Sequence, residues 1–181
     1  ITERQSPHYD DRPQAETVSL LVIHNISLPA AEFSKVPQHS YIDALFMGEL
    51  DCTAHPSFAG LAGVRVSAHC VIWRDGSIFQ YVPFAKRAWH AGVSSFAGRE
   101  RCNDFSIGIE LEGTDNLPYT DQQYKSLINL TLMIMQRYPA ITPERIAGHC
   151  DIAPGRKTDP GTAFDWMRYR DAIKSALKKP I

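Results

Sequence analysis

Near its C-terminal end the chain carries Gly148-His149-Cys150-Asp151-Ile152-Ala153-Pro154-Gly155-Arg156-Lys157-Thr158-Asp159-Pro160-Gly161. One imidazole, one ammonium and two carboxylates share these positions with three glycines and two prolines. Gly and Pro at that density predict a shaped loop rather than a helix or a strand. His149 and Asp159 stand ten positions apart, a spacing that suits two ends of a loop folded back on one point. Imidazole nitrogen and carboxylate oxygen are both ordinary zinc ligands. The best third ligand is His24, which ends the apolar run Leu20-Leu21-Val22-Ile23 and so stands at the end of a buried strand. Three protein ligands with one position left for water is the pattern of a catalytic zinc rather than a structural one. A plainer reading stands beside it, in which His24 is a hydrogen-bonded core histidine and the loop is only a turn. Spacing does not choose between them.

Other residues carry chemistry with less definition. Phe105 to Glu112 alternates with period two. Ile107, Ile109 and Leu111 face one way, and Ser106, Gly108, Glu110 and Glu112 the other. The two glutamates mark either an exposed edge or a catalytic carboxylate beside a cleft, and alternation does not say which. Gly108 on that face would let another group approach the backbone closely. Arg65, Ser67 and His69 share one face of a predicted strand, either solvated or the wall of a cleft. Trp89 beside His90 is an aromatic wall for a sugar or a core packer. His69-Cys70 and His149-Cys150 suggest a Cys–His nucleophile, but neighbours on an extended chain point to opposite faces.

The elements that must position these groups follow from periodicity and punctuation. Residues 1–17 read as an extended entry segment, 18–24 as a strand, 28–40 as a surface loop and 41–47 as a short helix stopped by Gly48. Residues 64–73 read as a strand, and Asp75-Gly76 before the run 77–82 predicts a β-hairpin. A polar loop spans 89–104, then the strand 105–112. Thr120 with Gln123 forms a capping box, and the spacing of Tyr124, Leu127, Ile128, Thr131, Ile134, Met135 and Tyr138 predicts a core-packing helix. A helical turn at 143–146 leads to the loop, and a helix from 164 to 177 closes the chain. The fold class is α/β, a mixed β-sheet flanked by α-helices, and the hairpin excludes a purely parallel sheet.

The 181 residues suit one domain, 1–181, with ample length for a core. The apolar fraction of 44% and charged fraction of 22% belong to an ordinary globular protein. Net charge is −1 without a basic tract, so neither nucleic acid nor a membrane surface is expected as partner. Apolar runs fall far short of the ~20 residues that span a bilayer. The polar N-terminus is no signal peptide, and a chain opening on Ile1 points to a lost preceding segment. Cys52, Cys70, Cys102 and Cys150 form no C-x-x-C pair, so reduced thiols in a reducing compartment are expected.

Five segments together carry a resemblance: Val22-Ile23-His24-Asn25, Ser67-Ala68-His69-Cys70, Arg87 to Gly92, Ser106 to Glu110, and Gly148-His149 to Lys157-Thr158-Asp159-Pro160-Gly161. In this order the chain resembles the zinc-dependent N-acetylmuramoyl-L-alanine amidases from about Ser6 to the last helix. The resemblance implies that His24, His149 and Asp159 bind Zn2+. It takes Glu110 over Glu112 as the catalytic carboxylate, and it places Lys157 near the reacting carbonyl. It matches Asn25, Arg65, His69, Trp89, Arg101 and Ala153 to substrate-contacting positions, with Arg65 and Arg101 suited to peptide carboxylates. The implied substrate is a muropeptide, a 1,6-anhydro-muramyl peptide cut between the lactyl group and L-alanine, and a monomer is expected.

Overall fold

Leu20, Leu21, Val22 and Ile23 have no solvent exposure, and they lie in a strand covered on both faces. It is one of two seven-residue strands at the centre of the sheet. The computed structural model describes residues 1–178, so the last three positions of the expected 1–181 domain lie outside the described residues. In chain order the strands are β1 (Thr2–Glu3), β2 (Tyr9–Asp10), β3 (Leu20–Ile26), β4 (Cys70–Ile72), β5 (Ile78–Gln80), β6 (Arg87–Ala88), β7 (Ser95–Phe96), β8 (Arg99–Glu100), β9 (Ser106–Glu112) and β10 (Ile146–Gly148). The helices are α1 (Tyr41–Met47), α2 (Asp121–Arg137), α3 (His149–Ile152) and α4 (Trp166–Leu177). Six strands make one mixed sheet in the order β1-β5-β4-β9-β3-β10. Only β4 and β5 pair antiparallel in it, joined by the expected Asp75-Gly76 turn.

The two faces of β3 and β9 do different work. Leu21, Ile23, Ile107, Ile109 and Leu111 pack against Leu127 and Ile134 of α2 and Tyr169 and Ile173 of α4. Each such side chain, fully buried, contributes roughly 1.5–3 kcal/mol. The capping box of α2 forms as expected, with Thr120 Oγ1 accepting from the Gln123 backbone N–H at 3.1 Å. On the opposite face α1 covers β4 and β5 through Ile42, Phe46, Val71 and Tyr81. Leu20, Val22, Phe105 and Ile152 form a smaller cluster there, and beyond it this face is left to polar residues.

Besides short strands in the expected entry segment and polar loop, the structure departs from the sequence reading in three places near the site. The strand expected over 64–73 is formed only at Cys70–Ile72, because Ser67 pairs with Trp89 instead: its N–H donates to Trp89 O and its Oγ accepts from Trp89 N–H. β10 was not expected, since three residues are too few to show alternation. The stretch expected to be wholly loop begins with the four-residue α3.

Candidate metal centre and active site

Parallel pairing decides what meets at this site. β3 and β9 run in a register that sets His24 directly beside Glu110, on the face away from α2. β10 pairs with β3 on its other side, with Gly148 opposite Ile23, so the chain enters α3 with His149 next to His24. The following loop then turns back, and the Cys150 N–H donates to Asp159 O at 3.0 Å. Gly161 lets it close: its φ is +79°, and a Cβ there would sit 2.1 Å from Asp115 Cα. No other residue accepts both conditions without strain.

Three atoms converge. His24 Nδ1 lies 3.0 Å from His149 Nδ1 and 3.1 Å from Asp159 Oδ2, and His149 Nδ1 lies 3.1 Å from Asp159 Oδ2. Protons cannot satisfy this triangle well. His149 Nε2 lies 3.1 Å from the Ala91 carbonyl, which can only accept, and farther, 3.5 Å, from Arg156 Nη2; the nearer carbonyl favours the neutral ring with its hydrogen on Nε2 and a bare Nδ1. That nitrogen faces a carboxylate oxygen with no proton between them. A divalent cation satisfies all three, and edges near 3 Å suit tetrahedral ligands about 2.0–2.2 Å from a common centre. His24, His149 and Asp159 could therefore hold a metal ion. Burial pushes the His24 imidazole down to about 4, which keeps it a neutral ligand. Burial raises the Asp159 carboxyl, but the adjoining His149 and His24 imidazoles outweigh this and hold it well below the usual range.

A profile of the N-acetylmuramoyl-L-alanine amidases matches residues 14–162, most of the chain and all three of these ligands. The chain belongs to this amidase family. It is similar to the 1,6-anhydro-N-acetylmuramyl-L-alanine amidase AmpD of Citrobacter freundii, 63% identical over 176 residues, covering 97% of this chain and 91% of that one. A crystal structure of a selenomethionine AmpD derivative superposes with a TM-score of 0.90 at 63% identity, covering 96% of this chain and 94% of that one. The amidase AmiD of Escherichia coli, solved with anhydro-N-acetylmuramic acid-L-Ala-D-gamma-Glu-L-Lys, matches at 32% identity with a TM-score of 0.63, covering 89% of this chain and 60% of AmiD.

The two glutamates of the amidase's β9 are resolved by their surroundings. Glu112 is buried and accepts backbone N–H groups from Ser34 and Arg74, which leaves it a staple between loops. Glu110 Oε2 is buried with no hydrogen-bond partner among the described residues. Burial, with the Asp159 charge, pushes its carboxyl well above the ordinary range, and Lys157 only partly offsets this. Asn25, Lys157 and Asp159 line one cleft of about 590 Å3, and Asn25 donates to Asp115 at 2.8 Å. Arg101 and Ala153 line a second cleft of about 490 Å3, and Arg156 borders both.

The other expected contacts are placed differently. Arg65 is exposed and lines a separate pocket with His8 and Leu50. Trp89 is half-buried, stacks on His8 and donates to Asp10. His69 is fully buried, with Nδ1 accepting from the Gly108 N–H and Nε2 against Lys86 O, so no ring nitrogen is free for substrate. The Cys–His reading fails as well. Cys70 is fully buried, and burial raises the thiols of both Cys70 and Cys150, which disfavours the reactive thiolate. Sequence reasoning missed His90, Asn103 and Arg156 as parts of the site. Gly108 was a signal for the place of His90, since its missing side chain leaves the space that the imidazole fills.

Proposed function

We propose that this amidase hydrolyses the bond between the muramic acid lactyl group and L-alanine in 1,6-anhydro-muramyl peptides, with Zn2+ held by His24, His149 and Asp159, in bacterial cell-wall recycling. The observation that carries the reading is the buried carboxyl of Glu110, with Oε2 unpartnered among the described residues, beside His24 at the converging side chains. An amide resists hydrolysis because its carbonyl is resonance-stabilised and its amine leaves poorly. Zinc bound at these ligands supplies Lewis acidity, lowering the pKa of water toward about 7 and polarising the carbonyl. Glu110 takes the proton of the attacking water and delivers it to the departing L-alanine nitrogen, acting as base and then acid. Lys157, exposed at the cleft, offsets the charge that develops on the carbonyl oxygen. Asn25, Arg101 and Ala153 line the clefts that hold the muropeptide, and Arg101 suits a peptide carboxylate. The reading takes residues 1–181 as one catalytic domain acting as a cytoplasmic monomer. No helix among the described residues is long and apolar enough to cross a membrane.

The test is product mass after incubation with anhydro-muramyl peptide. Free anhydro-muramic acid sugar and free peptide are expected, lost with a chelator and restored by zinc. An intact substrate in the presence of zinc-loaded protein would reverse the assignment.

A further inference from the structure

Both histidine ligands lean on one dipeptide. His24 Nε2 lies 2.9 Å from His90 Nδ1, and His149 Nε2 lies 3.1 Å from the carbonyl of Ala91. Asn103 Oδ1 pins this turn by accepting from His90 N–H at 3.1 Å and Ala91 N–H at 2.8 Å. Arg156 holds it from the other side by donating to Ala91 O at 2.6 Å and Val93 O at 2.7 Å. His90 is 9% exposed and its ring lies against Gly108, where a Cβ would be 2.4 Å from its Cγ. Its far nitrogen, Nε2, lies 3.1 Å from the hydroxyl of fully buried Ser106.

The Ala91 carbonyl can only accept, so it favours one tautomer of His149. His24 has no such carbonyl, and its partner is another imidazole. Two hydrogen arrangements are therefore open to the row Ser106–His90–His24. In one, hydrogens run from His24 Nε2 to His90 Nδ1 and from His90 Nε2 to Ser106 Oγ, leaving His24 Nδ1 bare. In the other, the serine donates and His24 Nδ1 carries a hydrogen into the triangle of ligand atoms. Only the first lets His24 bind a cation. A neutral imidazole alone offers an acceptor at Nδ1 and a donor at Nε2 in one rigid ring.

We propose that His90 is the positioning residue of the metal centre: with zinc on His24 Nδ1, it accepts the Nε2–H of His24 and donates to Ser106, and so supports the His24 tautomer that binds zinc. The proposal rests on the metal reading given above. It is tested by zinc affinity, measured by chelator competition, and by long-range 1H–15N spectra of the histidines, on the wild type, His90→Phe, His90→Asn and Ser106→Ala. Phe keeps the ring over Gly108 without an acceptor, whereas Asn places an amide oxygen near the Nδ1 position. His90→Phe is expected to bind zinc about 10–100-fold more weakly, the usual cost of losing such a partner. His24 in the zinc-free variant is expected to show mixed tautomers. His90→Asn is expected to recover most of the affinity. Ser106→Ala, which removes one hydroxyl, is expected to weaken zinc several-fold and carries the test if His90→Phe does not fold. Wild-type affinity in His90→Phe, or in Ser106→Ala where His90→Phe does not fold, overturns the proposal. So does a His90→Asn as weak as His90→Phe. A wild-type chain that binds no zinc overturns the metal reading itself, a result distinct from the others.

Discussion

Glu110 is held where its fold is ill served. A carboxyl with a buried, unpartnered oxygen is costly to ionise, and its raised pKa means that it contributes most to stability below its unfolded value of about 4.5 and loses that contribution as pH rises. Glu110→Gln is therefore expected to do two opposite things. Turnover of anhydro-muramyl peptide should fall by about 100–10,000-fold with zinc content unchanged. Thermal unfolding of the zinc-free protein at neutral pH should show a gain of roughly 0.5–2 kcal/mol. Near wild-type turnover in the zinc-loaded variant would remove Glu110 from the mechanism. Lys157→Ala should lower kcat by about 100–1,000-fold, the cost of one lost oxyanion partner, with little change in folding since the side chain is exposed.

At the level of elements, the site depends on β9 and on what lies over it. Gly108 and Ser106 are on the same strand face as Glu110, and the His90 ring occupies the space that a methyl at Gly108 would need. Gly108→Ala is expected to cost about 1–3 kcal/mol by overpacking, read by denaturant unfolding, and to weaken zinc binding by displacing His90. The cap of α2 is a control with no route to the ligands. Thr120→Ala should cost about 1 kcal/mol while leaving zinc affinity alone, since its hydroxyl serves Gln123 N–H and Arg74 O. Equal loss of zinc affinity in both variants would mean that destabilisation in general, rather than the β9 face, controls the site.

The whole molecule should respond to acid through its buried imidazoles. Burial holds His24 at about 4, and burial with the Arg12 charge holds His69 at about 3. Both lie below the unfolded value of about 6.5. The unfolded chain thus takes up protons first. Stability from these groups is fully present above pH 6.5 and is lost as pH falls through 4 and then 3, by about 1.4 kcal/mol per histidine for each unit over which only the unfolded form is protonated. Glu110 works in the opposite sense and offsets part of this loss. Denaturant midpoints of the zinc-free protein at pH 7, 5.5 and 4.5 should fall in that order, and a flat profile would contradict the buried neutral rings. Saturating zinc should raise Tm at pH 7, because a ligand bound only by the folded chain stabilises it by mass action.

Local order left clear marks in the chain. The seven-residue strands, α1 with its stop at Gly48, the Asp75-Gly76 hairpin and the capping box of α2 all rest on interactions between residues close in sequence. Periodicity and punctuation report such interactions directly. The candidate ligands were legible as residue types, and the resemblance to a family suggested their roles. Tertiary structure alone decided the rest. That His24 faces Glu110 is a matter of register between strands more than eighty positions apart. That Glu112 is a staple depends on Ser34 and Arg74, and that His69 is support depends on Gly108 and Lys86. The turn at His90 and Ala91 could not be read as a support for both histidine ligands, because its partners Asn103, Ser106 and Arg156 meet it only in space. A hydrogen bond between distant residues imposes no period on the sequence, so only the folded chain reveals it.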